Sequence, residues 1–453
     1  MQIKKEKFAY LQIFLYLCTR KMKDTVSKIW HSPSARNVGK LLSANVIAQV
    51  LGILIYPVLT RLYAPEDFGL LNLFLSIGGV LALLSTCEYQ SAILLPSNEK
   101  ESAGVAKVAM CVIGIILLLI AITIPFSHPI ATLFNAPALS TYYWLLVPYV
   151  GALGGWTVCN AWLTRKKGFG RISTYQLNLS FTGVLTKLLF GVLGWLRSGL
   201  ILSTVFSPII ALTASLIHNK HTYKDMWQPT DSSLRELAHK YIRFPLYSMP
   251  RSLVNNLSGN LPALVLTPYF GLNKLGFFAM AMTLALRPIT MITASVHQVL
   301  FERIAQAVRN NQSIWLSIKK WWLQMAMIVI PGMVLLTIFM PWLVKILLGA
   351  GWEETAVLIR FMMPWLTCIF LIAPLAFISE VFGKQKLFLG IEIAYLGLRI
   401  GAMVIGIWMN SFEWAIILLS IAGTTVLIFQ LCCYIRVVRR YESTRLTQTS
   451  EQG

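Results

Sequence analysis

The sequence predicts an all-α integral membrane protein, and three observations predict it. Of 453 residues, 56% are hydrophobic and 13% charged, with a mean hydropathy of +0.66, more apolar surface than a water-facing domain can bury. Apolar runs of about 20 residues recur along the chain, the length a helix needs to cross roughly 30 Å of hydrocarbon. They are too long and too uniform for barrel strands, and no other open structure satisfies its backbone groups in lipid. The third observation is where the charges lie. Net charge is +21, yet with both termini placed in the cytoplasm thirty of the 39 lysines and arginines fall in cytoplasmic segments. Five (Arg61, Arg197, Lys274, Lys345, Arg360) fall at or beyond the opposite ends of the spans, and the remaining four are counted as inside spans. That is the positive-inside pattern of a polytopic protein, so the basic excess reports topology and not nucleic-acid binding.

The spans are expected near 40–62, 68–87, 104–125, 142–163, 174–196, 199–218, 244–267, 277–300, 321–344, 356–378, 387–408 and 413–435, twelve in all. A basic cytoplasmic segment, 1–39, precedes them. Its KKEKFAYLQIFLYLCTRK has an apolar run too short to span and no small-residue cleavage site. It lies along the interface as a basic amphipathic segment, or Met22 is the start. A first lobe is expected over 40–218 and a second over 244–435, with a cytoplasmic tail at 436–453. Between the lobes runs the polar linker 219–243, where Ser233 and Glu236 have capping-box spacing ahead of Leu234, Leu237 and Tyr241 at helical intervals. It predicts a short amphipathic helix on the cytoplasmic face. Segment 301–320 is a second basic interfacial candidate.

The halves echo each other. YAPEDFGL (63–70) and FGLNKLGF (270–277) share an aromatic start and a glycine, Gly69 or Gly276, seven residues into an aligned octapeptide. The same register places Asn45 against Ser252 and Gln49 against Asn256. A six-plus-six duplication is a transporter signature, with the substrate site where the repeats meet.

The chemistry lies inside the spans. In MPRSLVNNLSGNLPALVL (249–266), Arg251, Ser252, Asn255, Asn256, Gly259 and Asn260 form one helical face, with leucines and Val254 on the other. Such a stripe faces a protein interior or a wet cavity. Ser43, Asn45 and Gln49 do likewise in the first span, and Pro57 and Pro262 loosen the two helices. Lys187, Arg251, Arg287 and Arg399 stand against one clearly internal carboxylate, Glu392. Unrelieved, each central charge costs roughly 2.5–3.5 kcal/mol. A net cationic interior points to an anionic cargo, with arginine suited to gripping phosphate oxygens in pairs. The structural alternatives stay open: Arg251 snorkelling to the surface, Arg399 serving as counter-ion to Glu392, the asparagines knitting helices together. The seven cysteines form no C-x-x-C pair and the six histidines no H-E-x-x-H, so neither a disulfide framework nor a metal site is expected, and no cofactor is implied.

GKLLSANVIAQVLGILIYPVLTRLYAPEDFGLLNLFLSI, the following EYQSAILLP, and IRFPLYSMPRSLVNNLSGNLPALVLTPYFGLNKLGFFAMAMTLALRPI resemble the Wzx-like polysaccharide-biosynthesis flippases of the multidrug/oligosaccharidyl-lipid/polysaccharide exporter superfamily. The resemblance covers nearly all of 35–435. It implies two lobes of transmembrane helices around a central cationic cavity and alternating access in the bacterial inner membrane. The implied cargo is an undecaprenyl-pyrophosphate-linked oligosaccharide repeat unit for surface polysaccharide, with membrane lipids and other polysaccharide-assembly membrane proteins as candidate partners. Many relatives carry an arginine and a glutamate around the tyrosine of EYQSAILLP; here Glu88 and Gln90 stand instead. A drug/cation antiporter would want an intramembrane carboxylate in the first lobe, and the first span has none. A membrane glycan polymerase or ligase should show a long outer loop with acid or base groups, and the outer loops are short and nearly uncharged. No soluble catalytic domain has room in the chain's loops, so an enzyme is not expected.

Overall fold

The computed structural model describes residue 47, residues 49–230 and residues 232–451. Asn45, the segment 1–39 and the question of Met22 lie outside the described residues. Within them every regular element is helical. The long helices are α1 (Gln49–Leu62), α2 (Pro65–Thr86), α3 (Glu99–Thr123), α4 (Leu146–Arg165), α5 (Phe169–Val192) and α6 (Leu196–His218). After the linker come α7 (Met249–Arg309), α8 (Trp315–Leu348), α9 (Glu353–Ile372), α10 (Gln385–Trp408) and α11 (Phe412–Glu451). Among the described residues, eight helical stretches are long and apolar enough to cross a membrane. Many of their large apolar side chains face outward, Ile328 at 71% exposure and Trp408 at 86%, which is a lipid-facing surface and not a water-facing one.

Local chemistry sets the helix starts. Pro65 opens α2, where a missing N–H costs nothing, and Asp67 Oδ2 accepts from the Ala64 N–H at 3.0 Å. Asn98 Oδ1 accepts from the Lys100 N–H ahead of α3, with Glu99 and Glu101 in the first turn. The expected linker helix is present at Leu234–Lys240. Ser233 Oγ accepts from the Glu236 N–H and Glu236 Oε2 from the Ser233 N–H, both at 3.2 Å.

Two expected boundaries differ. Spans 244–267 and 277–300 are not joined by a loop. The helical stretch Phe244–Arg309 runs 66 residues, about 100 Å if straight, and the one residue out of helical geometry within α7 is Gly271, at φ 78° and ψ 175°. Glycine alone takes that conformation without strain, so a single residue divides α7 into two arms, 249–270 and 272–309. The basic stretch 301–309, expected to lie at the interface, continues the second arm.

Most of the packing falls within α1–α6 and within α7–α11, but the most extensive single pairing, α2 on α7, crosses between these groups, and α1 packs chiefly on α8. The central crossing is reciprocal. A Cβ on Gly69 would lie 1.8 Å from the Leu272 carbonyl oxygen, and one on Gly276 would lie 1.8 Å from that of Pro65. Pro65 and Leu272 align in the same register as the two glycines, so repeat-related residues touch each other as across a two-fold axis. Around this crossing Trp352 is buried, donates from Nε1 to the Thr60 carbonyl at 3.1 Å, and meets the rings of Phe68 and Phe277 edge-on at 5.4 and 5.8 Å. Ion pairs ring the same end: Arg197 with Glu66 and Asp67 in the first group, Lys274 with Glu354 and Glu413 in the second. The polarity is swapped between the groups.

The linker is docked, not merely solvated. Leu237 is 2% exposed in a core with Val105, Trp162 and Tyr223; Tyr241 Oη donates to Glu101 Oε1 at 2.9 Å, and Lys240 pairs with the same carboxylate. Leu237→Ala is expected to remove about 2–5 kcal/mol of this packing. The result to look for is limited proteolysis cutting within 219–243 at protease levels that spare the wild type.

Candidate functional site

The four basic residues expected inside spans separate into three places. Lys187 of α5 and Arg287 of α7 line one cavity of about 330 Å³, together with Gly52 and Tyr56 of α1, Tyr149 of α4, and Thr204 and Ser207 of α6. Apart from Arg287 the described lining comes from α1, α4, α5 and α6, so the cavity lies within the first helix group and Arg287 reaches it from the second. The Arg287 guanidinium stands 6.0 Å from the centre of the Tyr56 ring, within reach of its electron-rich face. Pro288 follows directly and lacks the N–H that the Leu284 carbonyl would otherwise receive. Lys187 sits closer to the end of α5 than span 174–196 implies, and its carbonyl accepts from Tyr63 Oη at 2.7 Å. Among the described residues no carboxylate lies within ion-pair distance of Lys187 or Arg287. Two cations on one partly enclosed surface repel each other, and an anion between them would relieve that repulsion.

Arg251 and Asn255 line a second cavity, of about 710 Å³, between the first arm of α7 and the start of α10. Glu392 lines it as well, with Glu380, Lys386 and Ser258. Two cations face two carboxylates there, without a direct ion pair among the described residues, so this cavity is polar where the first is cationic. Arg399 lies elsewhere. It donates to Ser258 Oγ at 3.0 Å and to the Ser258 carbonyl at 2.7 Å, and its guanidinium lies over the rings of Tyr395 (4.7 Å) and Trp365 (5.7 Å). These contacts tie α10 to the first arm of α7 and to α9; among the described residues no ion pair joins Arg399 to Glu392. Asn256 accepts from Asn260 Nδ2 within its own helix, through both its carbonyl and its Oδ1. Gln49 is exposed on α1.

Sequence reasoning missed Tyr56, Glu380 and Lys386 as lining residues; nothing in their spacing marks them, since three separate elements bring them in. Glu88 is a different case. The α2 terminus places Cys87 at φ 44° and Glu88 at φ 63°, two consecutive non-glycine residues in left-handed geometry at a cost of about 1–3 kcal/mol each. The turn aims the Glu88 carboxylate across the groups: Oε1 accepts from Ser252 Oγ at 2.7 Å, and Oε2 from Gln90 Nε2 and Ser91 Oγ at 2.9 Å. The departure of EYQSAILLP from its relatives is the signal that marked this stretch.

Residues 58–357 match a family model described as "Polysaccharide biosynthesis protein". The chain is 26% identical over 289 residues to the succinoglycan biosynthesis transport protein ExoT of Rhizobium meliloti (strain 1021). That match covers 62% of this chain and 56% of the relative, so the chain spans a little over half of that protein's length. Among solved structures, the fold is similar to the lipid II flippase MurJ in an inward closed conformation, at 13% identity and a TM-score of 0.67 over 90% of this chain and 92% of that one. It is also similar to a multidrug resistance MATE family transporter of the MOP superfamily in an inward-facing conformation, at 16% identity and a TM-score of 0.66 over 87% and 96%.

Proposed function

We infer the function of this chain from the family to which it belongs, the polysaccharide biosynthesis proteins, and from the cavity that Lys187 and Arg287 line. It is a multi-pass membrane protein. Our reading is a transporter of the bacterial inner membrane that moves a polyprenyl-pyrophosphate-linked oligosaccharide from the cytoplasmic to the outer leaflet by alternating access. The named relatives are a transport protein, a transporter and a flippase, which supports transport over catalysis. The observation that carries the reading is the meeting of Lys187 and Arg287, one from each helix group, on a cavity where neither has a carboxylate partner among the described residues. These two would hold the pyrophosphate. The polar cavity of Arg251, Asn255 and Glu392 would hydrogen-bond the sugars, and the polyprenyl tail would stay in lipid.

In this reading the topology is twelve spans with both termini cytoplasmic, in lobes 40–218 and 244–435 joined by the linker. Counting the two arms of α7 separately and adding α1, α4 and α5 to the remaining apolar stretches reaches that number. The end ringed by Arg197 and Lys274 would then face outward. It is sealed by Trp352, whereas the opposite end is bridged by the hydrogen bond from Ser252 to Glu88. Such a state opens more readily to the cytoplasm, where the cargo is made.

Energy follows from charge. A pyrophosphate anion leaving a negative cytoplasm moves downhill by about 2.3 kcal/mol per charge per 100 mV, provided the cations stay behind. Collapsing the potential should therefore slow transport in proteoliposomes more than collapsing the pH gradient. Glu392 and Glu380 share the polar cavity and support a second reading, ion-coupled antiport. Strict dependence on a proton or sodium gradient, insensitive to voltage and lost in Glu392→Gln, would establish antiport and end the voltage scheme.

A further inference from the structure

A third cavity, of about 540 Å³, opens at the seam between the start of α10 and the far end of α11. Three cations line it: Lys384 beside the first turn of α10, and Arg436 and Arg440 one turn apart on α11. All three are exposed, and among the described residues none has a carboxylate within ion-pair distance. The other wall is apolar. Leu387 is 48% exposed, and the rings of Phe382 and Tyr441 pack together with centroids 5.4 Å apart. We propose that this seam binds the phosphate of a lipid headgroup in the leaflet on the cytoplasmic side. The side rests on the topology given above.

Three arguments carry the proposal. Three cations lining one concavity, without an ion pair among the described residues, match a phosphate, whose oxygens accept several charge-assisted hydrogen bonds at once. An apolar wall beside them, at the level where the lipid-facing stretch of α11 gives way to arginines, suits a headgroup with acyl chains below it and is wasted on a free ion. The volume also exceeds what one inorganic phosphate fills. The corresponding seam of the first group does not share the device. Between the start of α5 and the end of α6 a cavity of about 360 Å³ holds Arg171 and His218, and Arg171 is already bonded to Thr222 Oγ1. Among the described residues the three-cation lining is found at the seam of the second group and not at that of the first. It adjoins the polar cavity, because Lys386, two residues from Lys384, lines that one.

The test uses the purified full chain in neutral detergent and reads lipid binding by native mass spectrometry, with no transport step, so its outcome is separate from that of any flipping assay. The probes are phosphatidylglycerol, phosphatidylcholine, a polyprenyl pyrophosphate and inorganic pyrophosphate. The wild type should retain one phosphatidylglycerol in preference to phosphatidylcholine. Combined Lys384→Gln, Arg436→Gln and Arg440→Gln should weaken it tenfold or more. A charge-matched control, Lys220→Gln with Lys224→Gln and Arg235→Gln on the linker, should leave it unchanged. A polyprenyl pyrophosphate binding tenfold tighter than phosphatidylglycerol supports the site as a docking station for the transported lipid; equal binding supports a resident phospholipid. Equal weakening in both triple variants, phosphatidylcholine binding as well as phosphatidylglycerol, or inorganic pyrophosphate binding as tightly as either lipid would overturn the proposal.

Discussion

Arg287→Ala is expected to abolish polysaccharide export while leaving the amount of protein in the membrane near normal. Arg287 is exposed to the cavity and makes no ion pair among the described residues, so the fold does not depend on its charge. The cargo would. Truncating one partner of a desolvated, hydrogen-bonded charge pair costs about 2–5 kcal/mol, a loss of roughly thirty- to several-thousand-fold in binding. Arg287→Lys should restore part of the activity, because an ammonium keeps the charge and loses the two-pronged grip. Lys187→Ala should be defective as well, and the double variant no worse than about the poorer single one, since both groups would act on the same anion. Quantifying surface polysaccharide against immunoblotted membrane protein checks this. Full export by Arg287→Ala would remove the residue from the site, and a matching fall in abundance would assign it to the fold.

The second large effect is expected at the crossing of α2 and α7. Gly276→Ala and Gly69→Ala each place a Cβ 1.8 Å from a backbone carbonyl oxygen, of Pro65 or Leu272. Backbone cannot swing aside as a side chain does, so the helices must part. Overpacking in a well-packed interior costs about 1–3 kcal/mol and more where backbone must move. The seal around Trp352 would part with them. Either variant should fall in abundance or, where it survives, show cysteines placed at Phe68 or Phe277 reacting with impermeant reagents from outside. Gly79→Ala, on the same helix with nothing within 4 Å of its added carbon, should behave as wild type. A tolerated Gly276→Ala would mean that the two groups meet less tightly than their contact geometry implies.

That crossing shows what was legible in the chain. The alignment of YAPEDFGL with FGLNKLGF pairs Gly69 with Gly276, and the two glycines meet because a repeat related by a two-fold axis brings its own equivalent positions together. Helices were legible from apolar runs, and the linker helix from Ser233 and Glu236, because both signals are local. Gly271 was not, since a turn made by one residue leaves no polar stretch to read. The cationic residues were legible as a set, because charge in a span is costly wherever it falls. Their division was not. That Arg287 meets Lys187, Arg251 meets Glu392 across a cavity, and Arg399 is held by Ser258, Tyr395 and Trp365 depends on how separate helices pack. Docking of the linker through Leu237 was hidden for the same reason.

The most direct measurement is made in proteoliposomes carrying a polyprenyl-pyrophosphate-linked oligosaccharide whose sugars can be oxidised by an impermeant reagent. With an imposed potential, wild-type protein should expose the inner-leaflet glycan far faster than protein-free vesicles, and the Lys187→Ala/Arg287→Ala double variant should match the protein-free rate. Flipping by the double variant at the wild-type rate, or none by the wild type, would contradict the assignment of the cavity lined by Lys187 and Arg287 as the transport site.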